Sequence, residues 1–277
     1  MSLRQQTKCL LQTHNLFPKK RLGQHFMIDR SLLKRMVCFG DINKEDMVLE
    51  IGAGLGFLTE LLSKRCKRVF AVEVDPKLVK VLHERFDDVQ NIELIEGDIL
   101  KVSVPPFNKV ISTPPYFISS HLLFWLLNKS FDSAVLTFQK EFAERLASSV
   151  GRNNYGRLTV TTYYHSDVKL LDYVPRTAFY PTPEVDSMVV WLKPKLTPPF
   201  KVKDEQDFFQ LVQMAFAKRN KKIRNAVIPF LEKRGITRKE AREFADSLTF
   251  HDKRARELAP EDFGVLTNEI REKTSLL

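Results

Sequence analysis

The residue types that could do chemistry sit at the ends of apolar runs. The segment EIGAGLG, residues 50–56, follows one such run and precedes an amphipathic stretch. Its glycines Gly52, Gly54 and Gly56 let a ligand approach the backbone where a side chain would block it. Glu73 ends the next run, 21 residues after Gly52, and a carboxylate there can accept both hydroxyls of a ribose. Asp98, after Gly97, ends a third run and can meet the amino group of an adenine ring. A turn glycine or a surface acid would explain any one of these alone. Three in order at successive strand ends describe a nucleotide-type pocket. The glycine pattern by itself fits NAD, FAD or S-adenosylmethionine equally.

A fourth run ends in Thr113-Pro114-Pro115-Tyr116. Two prolines stiffen that loop and leave backbone carbonyls turned outward without local donors. An aromatic amine such as adenine N6 is a poor nucleophile, because its lone pair is delocalised into the ring. Acceptors that bind both N6 hydrogens favour a more tetrahedral nitrogen, and Tyr116 can hold the base by stacking. A proline-rich turn with a packing tyrosine is the plain alternative. His14, His83, His121, His165 and His251 show no ligand spacing, so no metal is expected.

These loops need a scaffold of strands and helices in alternation. Met47–Ile51, 68–74, 92–95, Lys109–Ser112 and 133–138 read as buried strands. Helices follow at 58–65 and from the Asp75-Pro76 cap through Phe86. This alternation predicts a parallel, doubly wound Rossmann-like α/β sheet. Residues 157–192 (LTVTTYY, then SMVVWLKP) alternate as an antiparallel end to that sheet would. The proline-rich stretch KPKLTPPF, residues 193–200, reads as a linker. Beyond it 206–218, 221–233, 237–244 and 260–273 read as helices, with Thr237 and Glu240 forming a capping box. The division predicted is 1–193 for the α/β domain and 200–277 for a small helical one.

The 277 residues, 43% hydrophobic and 28% charged, suffice for such cores. No apolar run approaches the ~18–20 residues of a membrane-spanning helix. Cys9, Cys38 and Cys66 are odd in number and far apart, as expected of reduced thiols in a cytosol. The net charge of +10 is unevenly placed. Residues 1–35 hold eight Lys and Arg against one acid, 36–194 hold 18 against 20, and 195–277 hold 18 against 13. Two basic ends around a neutral middle point to a polyanion held from two sides. Lys218-Arg219-Asn220-Lys221-Lys222-Ile223-Arg224 is the strongest basic run, read either as a solvated face or as an RNA phosphate contact. The residues before Lys19 read as a mobile tail rather than a targeting segment.

Taken together, KKRLGQHFMID, EIGAGLGFLT, VEVD, EGD, TPPYFISS, YGRLTV, AFYPTPEVDS and AFAKRNKKIRNAV follow one another along the chain. Their order and spacing resemble the ribosomal RNA small-subunit adenine dimethyltransferases, the KsgA type and its archaeal branch, relatives of the Erm resistance methylases. The resemblance covers about residues 17–270. It implies S-adenosylmethionine as cofactor, held by His25 and Met27 in the leader, Gly52 in the loop, Glu73 at the ribose and Asp98 at the adenine. Thr113, Pro114 and Tyr116 would form the catalytic loop, with Thr113 at the meeting of cofactor and amine. Phe179 would close over the target adenine, although an ordinary core phenylalanine fits the same position. The implied partner is small-subunit ribosomal RNA or an immature small subunit, met by a cytoplasmic monomer without membrane attachment.

Two positions depart from the family pattern. His25 stands where the leader usually carries Asn or Cys, and Thr113-Pro114 replace the usual Asn-Leu or Asn-Ile. Threonine offers one hydroxyl with a shorter reach than an amide. Thr113 therefore leaves open a non-catalytic RNA-binding assembly or transcription factor that keeps the fold. TPPY also resembles the Asn/Asp/Ser-Pro-Pro-Tyr/Phe loops of other amino-methyltransferases. A methyltransferase acting on DNA or protein amides is consistent with that loop but not with the basic leader and the FYPxPxVDS segment.

Overall fold

The N-terminal residues form a helix, not the expected mobile tail. In the computed structural model, which describes residues 1–274, α1 (Leu3–Thr13) begins at a capping box between Ser2 and Gln5. Leu3, Thr7 and Leu11 recur every fourth residue and are buried, while Arg4 and Lys8 stay outside. The apolar positions are spread at helical spacing, so no apolar run marks them in the sequence. A two-residue strand β1 (Phe26–Met27) and α2 (Arg30–Phe39), capped by Asp29, complete the leader.

The expected alternation follows as β2 (Met47–Ile51), α3 (Phe57–Ser63), β3 (Arg68–Glu73), α4 (Pro76–Phe86) and β4 (Ile92–Glu96). It continues as β5 (Lys109–Ser112), α5 (Ser119–Leu127), β6 (Ser133–Gln139) and α6 (Lys140–Leu146). Asp75 caps α4 and Pro76 takes its first position, as the sequence indicates. β2 pairs in parallel with both β3 and β5, and β6 extends the parallel sheet beyond β5. The chain order therefore reverses between β2 and β5, the place where open α/β sheets bind ligands. Val48 and Leu49, which point to opposite faces of β2, are both almost fully buried, as is Ile51, so the strand is covered on both faces.

The stretch LTVTTYY is a helix, α7 (Arg157–His165), and not a strand. Its Thr and Val residues favour strands locally. Yet Leu158, Thr159, Val160, Thr161 and Thr162 are buried in unbroken succession, with Tyr164 after them, and such a run carries neither the two-residue nor the 3.6-residue signature. Thr162 Oγ1 donates to Leu158 O at 2.7 Å, so its hydroxyl is satisfied inside the helix. The antiparallel end of the sheet is made instead by β7 (Ser166–Val174) and β9 (Ser187–Pro194), with the short β8 (Phe179–Tyr180) between them. The seven strands lie in the order β4-β3-β2-β5-β6-β9-β7, and β9 runs antiparallel to β6.

Four further helices close the chain: α8 (Glu205–Ala217), α9 (Ile223–Glu232), α10 (Arg238–Asp246) and α11 (Pro260–Thr274). The Thr237–Glu240 capping box is present at α10. By contacts the described residues form two units, 1–143 with 168–194, and 144–167 with those from 195 onward. The division at 193–200 therefore omits one excursion, because 144–167 belongs with the helices. The reason is visible in that unit's core, where Tyr155, Val160 and Tyr164 pack with Phe208, Leu211 and Phe263.

Gly56 illustrates how tightly the nucleotide-type half is built. Its φ is +80°, and a Cβ there would stand 2.6 Å from Phe86 and 2.9 Å from Leu82 of α4. Gly56→Ala should cost about 2–5 kcal/mol, combining left-handed strain with overpacking. Thermal unfolding that shows a loss under about 1 kcal/mol would mean that α4 can retreat from the loop.

Candidate functional site

The site begins with two acids at the end of β3. Glu73 is buried, and its carboxylate accepts backbone hydrogen bonds from Gly54 at 2.8 Å and from Val74 and Asp75 at 2.9 Å. Burial pushes its pKa upward, and the three amides oppose that shift. Gly54 can turn its N–H toward Glu73 because its φ is +60°. The glycine loop and the acid thus hold each other before any ligand arrives.

Asp75 anchors the leader to the same strand end. Its Oδ1 accepts from Lys19 Nζ at 2.7 Å and its Oδ2 from Gln24 Nε2 at 2.9 Å, while Gln24 Oε1 accepts from Lys19 N at 2.8 Å. Burial works against ionisation of Asp75, but the bonds from Lys19, Gln24 and Lys77 outweigh it and hold its pKa low. Next along the leader, Phe26 and Met27 pair with Tyr180 and Phe179 in a two-stranded ribbon. His25 Nδ1 lies 2.7 Å from Pro181 O, and since a carbonyl only accepts, that nitrogen carries the hydrogen. Basic leader and FYPTP segment, 156 residues apart at this contact, therefore meet as one wall.

The TPPY loop adjoins this wall. Ser112 Oγ donates to Ile51 O at 2.5 Å and accepts from Ile51 N at 3.2 Å, which clasps β5 to β2 just before the loop. Tyr116 stacks near His25, with centroids 6.3 Å apart, and meets Phe179 edge-on at 6.3 Å. Its hydroxyl lies 2.6 Å from Ser187 Oγ, and burial raises its pKa to about 12. Thr113 lines the same cleft, and its hydroxyl has no hydrogen-bond partner among the described residues. The Pro114 carbonyl likewise accepts no backbone bond among them.

His25, Met27, Gly52, Glu73, Thr113, Pro114, Tyr116 and Phe179 all line one cleft. Asp98 does not. Its Oδ1 accepts from Leu100 N at 3.1 Å, and Lys101 lies 3.8 Å from its Oδ2, in a turn beyond β4. Gly97 N, beside it, donates to Glu73 O at 2.8 Å. Among the described residues no cluster of three metal-ligating side chains occurs, and no helix is long and apolar enough to cross a membrane.

Sequence reasoning passed over Glu50, although an acid inside the apolar run MVLEI is a signal. Glu50 lines the cleft, is 2% exposed, and its Oε2 has no hydrogen-bond partner. Burial, with Glu73 nearby, raises its pKa from 4.5 to about 8, against a smaller opposing effect from Thr59. Between those values the unfolded chain is ionised there and the folded chain is not. Stability is therefore lost as pH rises through 4.5 to 8 and the loss levels off above 8. Glu50→Gln should stabilise the protein little at pH 5 and by on the order of 3–5 kcal/mol near pH 8. Equal effects on thermal unfolding at both pH values would mean that Glu50 stays ionised in the folded chain.

The comparisons with known proteins agree with this geometry. The family model described as ribosomal RNA adenine dimethylase matches residues 16–258. The chain is 47% identical to a protein of Methanosarcina acetivorans named "probable ribosomal RNA small subunit methyltransferase A", over 89% of this chain and 91% of that one. A like-named protein of Pyrococcus abyssi is 37% identical over 95% and 96%. A crystal structure of a dimethyladenosine transferase from Plasmodium falciparum superposes with a TM-score of 0.79 at 30% identity, covering 90% of this chain and 98% of that one. The 23S rRNA methyltransferase ErmE superposes with a TM-score of 0.67 at 27% identity, covering 88% and 98%. A family model that spans most of the chain, and relatives alike over nearly their whole length, make the chain a member of the ribosomal RNA adenine dimethylase family.

Proposed function

We propose that this protein transfers methyl groups from S-adenosylmethionine to N6 of two adjacent adenines near the 3′ end of small-subunit ribosomal RNA. The observation that carries the reading is the shared cleft. The Glu73 carboxylate, the leader pair His25 and Met27, and the TPPY loop line one cavity at the carboxyl ends of parallel strands. The cavity suits the cofactor chemically. Gly52 leaves its front open, with only Pro115 Cδ within 4 Å of where a Cβ would stand. Glu73 offers acceptor capacity to ribose hydroxyls, and the orphaned Glu50 oxygen suits a cationic ligand. Asp98 is assigned to the adenine edge by the family pattern alone.

When bound, the cofactor supplies an electrophilic sulfonium methyl for in-line displacement. The chain's own residues position the amine and polarise it. The Thr113 hydroxyl and the Pro114 carbonyl, both without partners among the described residues, accept from the two N6 hydrogens and localise the nitrogen lone pair. Tyr116 offers its ring to the unstacked base, and Phe179, edge-on to Tyr116, borders the same cleft. No strong general base is needed, because the alkylated amine cation sheds its proton readily. Incubation of unmethylated small subunits with labelled cofactor, followed by nucleoside mass analysis, tests the reading. Absence of any methylated adenosine would overturn it in favour of an assembly factor that binds without reacting.

Thr113 gives the sharper test. Thr113→Val keeps volume and branching but removes the acceptor, and the rate should fall about 10²–10³-fold, as for one preorganised polar group at a reacting centre. Thr113→Asn should raise the rate or shift product from monomethyl to dimethyl adenosine. An undiminished rate in the Val variant would assign the polarisation to the Pro114 carbonyl alone.

The RNA backbone is proposed to meet the basic run before α9. Lys222 is paired with Asp252, and Arg224 lies 3.5 Å from Asp246 and Asp252. Lys218 and Lys221 are exposed and carry no ion pair among the described residues. Neutralising these two should lessen the dependence of log affinity on log salt by roughly 0.7–0.9 for each phosphate that is no longer neutralised. An unaltered slope would make the run solvated surface.

A further inference from the structure

Phe117 is 59% exposed, although its chain neighbours Pro115 and Tyr116 and its contact Gly23 line the cleft. It lies on the short turn Tyr116–Ile118, which Pro115 opens, and is absent from the cleft's lining. One edge of its ring rests on the leader. A Cβ on Gly23 would stand 3.2 Å from Phe117 Cδ1 and 3.7 Å from Cε1. Gly23, with φ +58°, is where the leader can pass this close to the ring. The rest of the ring faces solvent, which is unfavourable for so large an apolar surface.

The cations beside it are equally uncommitted. Lys19 is bonded to Asp75, but Lys20 and Arg21 are exposed and carry no ion pair among the described residues. They belong to the turn Lys20–Leu22, which Gly23 N closes on Lys20 O at 2.9 Å. An exposed aromatic face, whose contact Gly23 lies two and three residues from two cations without an ion pair among the described residues, matches a base with its phosphates. It does not match an acidic or purely apolar protein segment, since the first leaves the ring uncovered and the second leaves the cations unpaired.

We infer that Phe117, with Lys20 and Arg21, forms a subsite for the nucleotide next to the target adenine. The neighbouring base stacks on the exposed ring while the target base occupies the cleft that Tyr116 and Phe179 line. Because the proposed substrate has two adjacent adenines, one can wait on Phe117 while the other reacts. This inference rests on the methyl-transfer reading above.

The test compares Phe117→Ala, Phe117→Leu and Phe117→Trp with wild type on unmethylated small subunits. Melting temperature and calorimetric affinity for S-adenosylmethionine should match wild type in all three. Phe117→Ala should raise KM for subunits about 5- to 150-fold, the equilibrium effect of one base–aromatic stack, with kcat little changed. Phe117→Trp should restore KM, and Phe117→Leu should not, because an aliphatic side chain offers no stacking face. Leucine as good as phenylalanine would overturn the inference in favour of an apolar protein contact. An alanine variant with wild-type KM would overturn it outright. Failure of wild type to methylate subunits at all would instead sink the parent reading, so the two failures are distinguishable.

Discussion

A carboxylate removed from water must find donors, and the cleft is assembled around two that have found them. Glu73 collects three backbone amides, one of them from the glycine loop. Asp75, two residues on, collects the side chains of Lys19 and Gln24 and caps α4. Breaking either arrangement would leave an uncompensated buried charge, which is far more costly than the net gain from forming it. The consequence is geometric. Glycine loop, leader and helix α4 are all referenced to the last turn of one strand, so the positions of His25, Met27 and Gly52 follow from the placement of β3.

The same constraint divides the leader's charge by role. Lys19 faces inward to a buried acid and is structural, whereas Lys20 and Arg21 face solvent. The run at 218–224 is divided in the same way, with Lys222 and Arg224 engaged by acids and Lys218 and Lys221 without an acid among the described residues. Formal charge in a sequence therefore overstates what is offered to a polyanion. A basic residue counts toward counterion release only when no carboxylate of the chain already neutralises it.

Much of the fold was legible because its signals are local. The Asp75-Pro76 cap, the Thr237–Glu240 box and the apolar runs of β2, β3 and β5 each specify their element within a few residues. What stayed hidden depends on distant packing. LTVTTYY is helical because residues from 208 to 263 surround it, and α1 exists because Leu3, Thr7 and Leu11 find a core. In the site, the glycine loop, Glu73 and the TPPY loop could be read from position at strand ends, since parallel topology brings those ends together. The union of the leader with the FYPTP segment could not be read that way. It depends on an antiparallel ribbon between segments about 150 residues apart, and only the family resemblance joined them beforehand. Asp98 occupies the strand-end position read from the sequence, outside the cleft's lining, with its Oδ1 accepting from Leu100 N.

Thr113 is where local chemistry and family pattern disagree, and the surrounding rigidity bears on what that means. Ser112 fixes the loop to Ile51 through both backbone groups, and Pro114 and Pro115 restrict its dihedrals. A loop held this firmly keeps its carbonyls aimed whatever side chain begins it. On the proposed mechanism the Pro114 carbonyl then supplies one acceptor independently of residue 113, and the side chain supplies the second. A hydroxyl in place of an amide shortens the reach of that second acceptor without removing it. Under that proposed mechanism the first residue of the loop sets how well the amine is polarised, while the loop's backbone sets whether it is polarised at all.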